Sequence, residues 1–181
     1  MSCRDNHSNL DVIGSTEYVD IGDYKNIPAK IDTGADSSSI WASHIEVDQA
    51  GVLHFQLFDA TSPFYTGETL HRTDFKAAVI RSSSGHEQIR YRVHLSLKLS
   101  NRKIRALFNL SDRSHNNYPV LIGRRTIANK FLVDVTRNRP LSKSERVKTR
   151  RVQQRLEENP YAFHQKYVKE ATIKSNRKDS K

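Results

Sequence analysis

The chain has 181 residues, of which 36% are hydrophobic and 28% are charged, and this composition fits one soluble domain with a polar extension better than two full domains. The 30 Lys and Arg side chains against 20 Asp and Glu give a formal net charge of +10, so an anionic partner has to be considered. The excess is concentrated near the C-terminus, where residues 141–181 hold 12 basic and 5 acidic side chains (+7), while the preceding residues hold 18 and 15 (+3).

Cysteine usage and hydropathy exclude several classes of protein. Cys3 is the only cysteine, which excludes an internal disulfide framework and a cysteine-only metal cage and fits a reducing compartment. Residues 1–10 carry charge and no apolar run, and no window approaches the roughly 18 apolar residues that a spanning helix needs. We therefore expect a cytoplasmic protein that is neither secreted nor inserted in a membrane.

After a flexible N-terminus over residues 1–10, residues 11–139 are predicted to form a mainly β domain. Short apolar stretches separated by turn-forming residues are typical of strands. The predicted strands are Asp11–Ile13, Tyr18–Ile21, Ile27–Ile31, Val52–Leu57, Phe75–Ile80, Ile89–Leu99, Arg102–Asn109, Val120–Ile122 and Phe131–Val135. The alternation of apolar residues on both sides of Ser100-Asn101 predicts a hairpin there. One short helix is predicted over Arg124–Asn129.

Residues 140–181 are predicted to form a separate basic, partly helical tail. Ser142 and Glu145 suit a capping box for a helix that runs to about Glu157. Pro160 then interrupts the helix before a second helical stretch near Tyr161–Ala171. Residues 174–181 have the composition of a disordered end.

Two motifs separated by about 90 residues carry the candidate chemistry. In the first, an apolar strand delivers Asp32 into a tight turn, Asp32-Thr33-Gly34-Ala35; taken alone, such a triplet also suits an ordinary turn. A carboxylate at the end of a buried strand is costly unless it is paired, hydrogen-bonded or used in chemistry. In the second, the apolar strand Val120-Leu-Ile122 ends at Gly123-Arg124 before the short helix, which alone suits a buried central strand.

The order of these motifs closely resembles that of retropepsin-type aspartic proteases. The segments Ser84-Gly-His86, Leu110-Ser-Asp-Arg113 and Asn129-Lys-Phe-Leu-Val-Asp134 narrow the resemblance to the bacterial family labelled ATP-dependent zinc proteases, over roughly Asp11–Arg139. The resemblance implies a closed acid-protease barrel with one short helix. It also implies an aspartic endopeptidase that needs no cofactor.

In a retropepsin, two carboxylates share one proton across a water molecule, which one deprotonates while the other protonates the peptide carbonyl. This chain has one such motif, so the second Asp32 has to come from another copy, and we expect a homodimer. The resemblance implies that Thr33 bonds across the two-fold axis. It also implies that Gly34 lets the substrate backbone approach.

Further site residues follow from the same resemblance. Asp36, beside Ala35 in the substrate-binding turn, is expected to pair with Arg124 in a bidentate contact, with Ile122 and Gly123 as structural support of the site. A flap is expected over residues 79–89, with Ser84, Gly85 and His86 near its tip contacting substrate. A plain polar turn is the alternative for that hairpin, and unrelated surface charges are the alternative for the pair. The terminal strand at Phe131–Val135 is expected to help build the dimer sheet.

No zinc site is predicted, despite the family's label. The sequence has no His-Glu-x-x-His and no Cys/His cluster at ligand spacing. Its 8 histidines are scattered singly, at His7, His44, His54, His71, His86, His94, His115 and His164. A zinc hydrolase is therefore disfavoured.

The alternative function is a peptide-binding module of the same fold that does not cut its ligand. The basic tail, with Arg146, Lys148, Arg150, Arg151 and Arg155, is either a solvated face or a contact for RNA, a ribosomal surface or an acidic protein. Family members are often associated with ligases that add acidic residues to proteins. That association implies a substrate with acidic extensions.

Overall fold

A computed structural model describes residues 9–81, 87–137 and 152–169. The chain divides into two compact units, Met1–Arg139 and Pro140–Lys181. The first unit is mainly β, with the strands β1 (Asp11–Gly14), β2 (Thr16–Ile21), β3 (Tyr24–Asp32), β4 (Ser38–Val47), β5 (Leu53–Leu57), β6 (Thr69–Arg72), β7 (Phe75–Arg81), β8 (Glu87–Leu99), β9 (Arg102–Ser111), β10 (Val120–Gly123) and β11 (Phe131–Asp134). One short helix, α1 (Arg124–Ile127), lies between β10 and β11.

Six strands of this unit close into a barrel. Hydrogen-bonded neighbours follow the order β10, β3, β2, β8, β9 and β4, and β4 pairs with β10 again, which completes the ring. β5 and β6 extend the sheet beyond β4, and β7 pairs with β8. This closed barrel confirms the predicted fold class.

The hairpin of β8 and β9 lies where the apolar alternation places it. Leu99 pairs with Arg102, so Ser100 and Asn101 form the turn, and Ser100 adopts a positive φ of 52° there. In the second half of β8, every second residue faces the core and is buried: Val93, Leu95, Leu97 and Leu99. Burial of each such side chain contributes about 1.5–3 kcal/mol, so one strand face supplies much of the core.

β4, at Ser38–Val47, is the main strand that the sequence analysis missed. Its first half, Ser38–Ala42, is buried without alternation because β4 lies between β9 and β10 and is covered on both faces. Serines at its start have low β propensity, and a doubly covered strand shows no period of two. β6, at Thr69–Arg72, was also missed, since it is short and poorly buried.

Other predicted elements differ at their ends. β3 is longer than predicted and contains Pro28, which pairs with Tyr18 of β2. The short helix ends at Ile127, two residues before the predicted Asn129, which adopts a positive φ of 61°. The helix ends before Asn129 because Ala128, with ψ of 134°, has already left the helical region.

β1 and β11 form a separate two-stranded parallel sheet with Val12 opposite Leu132. Arg102 joins this sheet to the barrel, since its Nε donates to Asp11 Oδ2 at 3.1 Å and its guanidinium lies 5.9 Å from the centre of the Phe131 ring. Gly14 packs so closely on the carbonyl oxygen of Arg137 that a Cβ would collide with it. The first and last strands of the unit are thereby held together.

The described part of the second unit is helical. Residues 152–158 form an α-helix, Pro160–Phe163 form a further helical turn, and His164–Lys169 form a π-helical turn. The Asn159 side chain accepts a hydrogen bond from Ala162 N–H at 2.9 Å, and Pro160 occupies the first turn, where its missing N–H is not needed. The predicted capping box at Ser142–Glu145 and the predicted disordered end lie outside the described residues. None of the described helices has the length and apolarity that crossing a membrane would take.

Candidate active site

The turn after β3 holds one oxygen of the Asp32 carboxylate. The backbone N–H groups of Gly34 and Ala35 donate to Asp32 Oδ1 at 3.1 and 3.2 Å. Among the described residues none donates a hydrogen bond to Asp32 Oδ2. The backbone therefore positions one carboxylate oxygen and leaves the other accessible to water or substrate.

Thr33 and Gly34 form the exposed tip of this turn. Gly34 does not adopt a positive φ, and a Cβ there would make an ordinary contact of 3.4 Å with Asp32 Oδ1. The turn thus does not need the conformational freedom of glycine at this position; the missing side chain leaves the backbone uncovered beside the carboxylate. The Thr33 hydroxyl bonds to no other residue that the structure describes.

β10 brings the second motif beside the first. It runs parallel to β3, with Ile122 opposite Ile31 and Gly123 opposite Asp32. The absent side chain of Gly123 makes room for the neighbouring turn: a Cβ there would lie 2.5 Å from Ser37 C and 2.8 Å from Ser37 N. Ile122, the predicted structural support of the site, is fully buried in the core.

Three hydrogen bonds connect the start of α1 with the chain after the Asp32 turn. Arg124 N–H donates to the Ala35 carbonyl at 2.8 Å, and Arg125 N–H donates to the Asp36 carbonyl at 3.2 Å. Gly123 N–H donates to Ser38 Oγ at 3.1 Å. These bonds hold the turn Asp32–Ala35 against residues about 90 positions away in the sequence.

Asp36 forms ion pairs with two arginines. Arg124 Nη2 contacts Asp36 Oδ1, and Arg125 Nη2 contacts Asp36 Oδ2 at 3.4 Å. The predicted pair is therefore present, but the bidentate fork is wrong, since a second arginine takes the other carboxylate oxygen. All three side chains are well exposed, so each pair contributes about 0–1 kcal/mol. Arg125 was missed because only the fold shows which side of α1 faces Asp36.

Arg113 is a further charged residue of the site to which the sequence analysis gave no role. Its Nε donates to the Tyr118 carbonyl at 3.1 Å, and its Nη1 donates to Ser39 Oγ at 3.0 Å. Burial and then repulsion by Arg90 lower the pKa of Arg113, and attraction by Asp32 opposes both. Arg113 remains protonated under any physiological condition. Neither Arg90 nor Arg113 forms an ion pair within the described residues, so Arg113 brings positive charge near Asp32, and Arg90 adds positive charge near Arg113.

The predicted flap corresponds to the hairpin of β7 and β8. These strands pair from Phe75 opposite Val93 to Arg81 opposite Glu87. Val79 and Ile89, which are opposite each other, are 62% and 72% exposed. Ser84, Gly85 and His86, predicted at the tip, lie outside the described residues.

No group of three or more His, Cys, Asp or Glu side chains in the described residues is placed to hold a metal ion. Two histidines, on β5 and β6, and Asp48 in the β4–β5 turn lie in contact without forming such a group. There, His54 Nε2 lies 2.8 Å from Asp48 Oδ2, and His71 Nδ1 lies 2.7 Å from His54 Nδ1. The N–H of Val52, together with His54, lowers the pKa of Asp48. This cluster supports the β4–β5 turn.

The chain matches the model of a protein family over residues 12–144, and that family is described as RimB-like, retropepsin-like aspartic endopeptidase RimB. Among curated proteins it is 26% identical over 128 residues to a probable alpha-L-glutamate ligase of Desulfotalea psychrophila strain LSv54. The match covers 68% of this chain and 28% of the ligase, so the chain spans less than a third of that relative's length.

Among solved structures, the chain resembles a crystal structure of a Legionella pneumophila protein of unknown function. The TM-score is 0.55 at 24% identity, and the match covers 73% of this chain and 98% of the Legionella chain. At this identity the likeness concerns the fold alone.

The contact between Gly123 and Ser37 gives a direct test of the geometry. Gly123→Ala places a methyl group against the Ser37 backbone, which cannot move without shifting the catalytic turn, so we expect a loss of about 1–3 kcal/mol in unfolding free energy. Thermal denaturation measures this loss. Gly34→Ala is the matched control, because its Cβ meets no backbone. Equal stability of the two variants would show that the close approach is not present in solution.

Proposed function

Because the match extends over most of the chain, the protein belongs to the RimB-like family of retropepsin-like aspartic endopeptidases, and we propose that it hydrolyses peptide bonds with two Asp32 carboxylates, one from each copy of a homodimer. The observation that carries this proposal is the geometry of Asp32. One carboxylate oxygen is held by two backbone N–H groups, and the other has no partner among the described residues.

The reaction needs a water molecule between the two carboxylates. The ionised Asp32 removes a proton from the water as it attacks the peptide carbonyl carbon, and the protonated Asp32 gives its proton to the carbonyl oxygen. The tetrahedral intermediate then collapses, the C–N bond breaks, and the leaving nitrogen takes up a proton. One copy of the chain supplies half of this pair.

Within one chain, the next carboxylate along the sequence is Asp36. Its two oxygens are already engaged by Arg124 and Arg125, so it is poorly suited to share a proton with Asp32. A two-fold axis that passes beside the turn would instead bring the two Asp32 side chains together. The exposed Thr33 hydroxyl would then find its hydrogen-bond partner in the other copy.

The sheet of β1 and β11 offers a surface for this dimer. Val12 and Leu132 are opposite each other, and they are 42% and 38% exposed although both are apolar. Among the described strands, β1 and β11 pair only with each other, so both retain free edges. An exposed strand edge with apolar side chains is suited to pairing with a second chain.

The positive charge around Asp32 favours an acidic substrate. Asp32 attracts Arg113, but neither Arg113 nor Arg90 forms an ion pair with a described carboxylate, and a peptide with Asp or Glu side chains would supply one. The Desulfotalea relative is named a glutamate ligase, which agrees with a substrate that carries added glutamate. Val79 and Ile89, exposed on the flap hairpin, would contact the bound peptide.

Removal of the titratable group tests the chemistry. Asp32→Asn keeps the size of the side chain but cannot accept or share the proton, so we expect kcat/KM to fall by about 10²–10⁴-fold. The assay is cleavage of a peptide library across a range of pH, with Asp23→Asn, an exposed Asp in the β2–β3 turn, as the matched control. Peptide binding without cleavage in the wild type would favour the binding module. Cleavage by Asp32→Asn, combined with chelator-sensitive activity of the wild type, would point to a metal enzyme.

Disruption of the sheet surface tests the dimer. Leu132→Arg places a charge on the face of the β1–β11 sheet, so we expect the dimer to dissociate at least about tenfold more readily, since burial of an unpaired charge costs several kcal/mol. Sedimentation equilibrium measures the dissociation constant. Val47→Arg makes the same change at an equally exposed strand residue outside this sheet. If both variants dimerise like the wild type, the β1–β11 sheet is not the interface.

Arg90→Gln tests the substrate preference. Loss of one cation near the site should reduce the ratio of kcat/KM for a Glu-containing peptide to that for its Gln-containing counterpart by about three- to fivefold. Lys103→Gln, which removes the same charge from an exposed position on β9, should leave the ratio unchanged. An equal effect of both variants would mean that overall charge, and not Arg90, sets the preference.

A further inference from the structure

A basic cavity of about 270 Å³ lies in the first unit, between β8, β9, α1 and the chain after Asp36. Asp32, Thr33 and Gly34 are not among the residues that line it. Its charged and polar lining includes Ser37, Arg92, His94, Arg105, Arg125 and Lys130. No Asp or Glu of the described residues contributes to the wall, so the cavity is a concave surface with charge of one sign.

Two of the cations have distant or shared counter-ions. Arg105 pairs with Asp74 at 3.4 Å, and both side chains are largely exposed, so water and salt screen this pair. Arg125 shares the Asp36 carboxylate with Arg124. One carboxylate thus pairs with two guanidinium groups, so it neutralises only one of their two positive charges.

The other two cations have no carboxylate partner in the described part of the chain. Arg92 Nη2 donates to Ser37 Oγ at 3.3 Å, and Lys130 Nζ donates to the Ala128 carbonyl at 3.2 Å. Arg92 Nε is buried and donates to no residue that the structure describes. A buried donor without an acceptor costs about 1–3 kcal/mol, more where the group is charged, and an anion bound in the cavity would offset part of that cost by its charge.

We propose that this cavity binds a phosphate group, either as inorganic phosphate or as the phosphate of a small phosphomonoester. The guanidinium of Arg92 supplies a fixed, planar set of donors, which matches the oxygen spacing of phosphate, and Lys130 adds a point charge. His94 and the Ser37 hydroxyl provide further hydrogen-bonding groups in the wall.

The number of cations favours phosphate over a carboxylate. Phosphate carries between one and two negative charges near neutral pH, whereas a carboxylate carries one charge and two oxygens. Several cations that converge on one cavity are better neutralised by the higher charge and by oxygens that point in more directions. The volume exceeds what one phosphate ion fills, which leaves space for the organic part of a small ester.

Ser37 connects the cavity with the catalytic turn. It accepts from Arg92, and its backbone lies against Gly123 beside Asp32. Arg125 is both a wall residue and a partner of Asp36. The proposed site therefore shares Ser37 and Arg125 with the residues that support the Asp32 turn. Its occupancy can nevertheless be measured without any peptidase activity.

Calorimetric titration of the full chain at constant ionic strength tests the proposal. Inorganic phosphate and glycerol 3-phosphate are the probes, with acetate and glycerol as controls. We expect saturable binding of one phosphate per chain that weakens about tenfold or more in Arg92→Gln, since a hydrogen bond to a charged group is worth about 1.5–3 kcal/mol. Lys103→Gln, with the same change of charge outside the cavity, should bind like the wild type. Phosphate bound to the basic tail would be unaffected by Arg92→Gln.

The two probes distinguish the source of the phosphate. Tighter binding of glycerol 3-phosphate assigns the cavity to an ester, and tighter binding of inorganic phosphate assigns it to the free ion. If Arg92→Gln does not melt cooperatively like the wild type, Lys130→Gln replaces it as the test variant. Non-saturable binding, equal weakening in Lys103→Gln, or acetate binding as tight as that of phosphate would overturn the proposal.

Discussion

The parallel pairing of β3 with β10 positions everything else in the site. It places Asp32 level with Gly123, where the absence of a side chain lets the backbone of Ser37 approach to within contact distance of the strand end. Parallel neighbours cannot be joined by a tight turn, and here the connection between the two strands contains β4 to β9. The barrel is closed because β4 also pairs with β10, and the turn that begins at Asp32 lies beside the end of β10, next to this pairing.

This constraint makes the Asp32 turn rigid, and the proposed chemistry adds the need for a second carboxylate. Backbone N–H groups hold Asp32 Oδ1, and Arg124 and Arg125 neutralise Asp36, so of these two carboxylates Asp32 alone keeps an oxygen without a partner among the described residues. Acid–base hydrolysis by carboxylates needs a pair whose proximity separates their two protonation steps. The proposed homodimer follows from the second carboxylate that one chain lacks.

The parts of the fold that could be predicted are those set by local pattern. The β8–β9 hairpin follows from alternating apolar residues, and the two motifs around Asp32 and Gly123 follow from apolar strands that end in turns. β4 could not be predicted in this way, because a strand buried on both faces loses its alternation. Arg113 and Arg125 acquire their roles only through tertiary contacts with residues far away in the sequence.

The most direct test of the shared site is a mixing experiment between wild type and Asp32→Asn at constant total concentration, after incubation long enough for subunits to exchange. If each site needs Asp32 from both copies, activity should fall as the square of the wild-type fraction, to about a quarter in an equal mixture. Activity that falls in direct proportion to the wild-type fraction, to about half in an equal mixture, would show that one chain suffices and would contradict the two-carboxylate account.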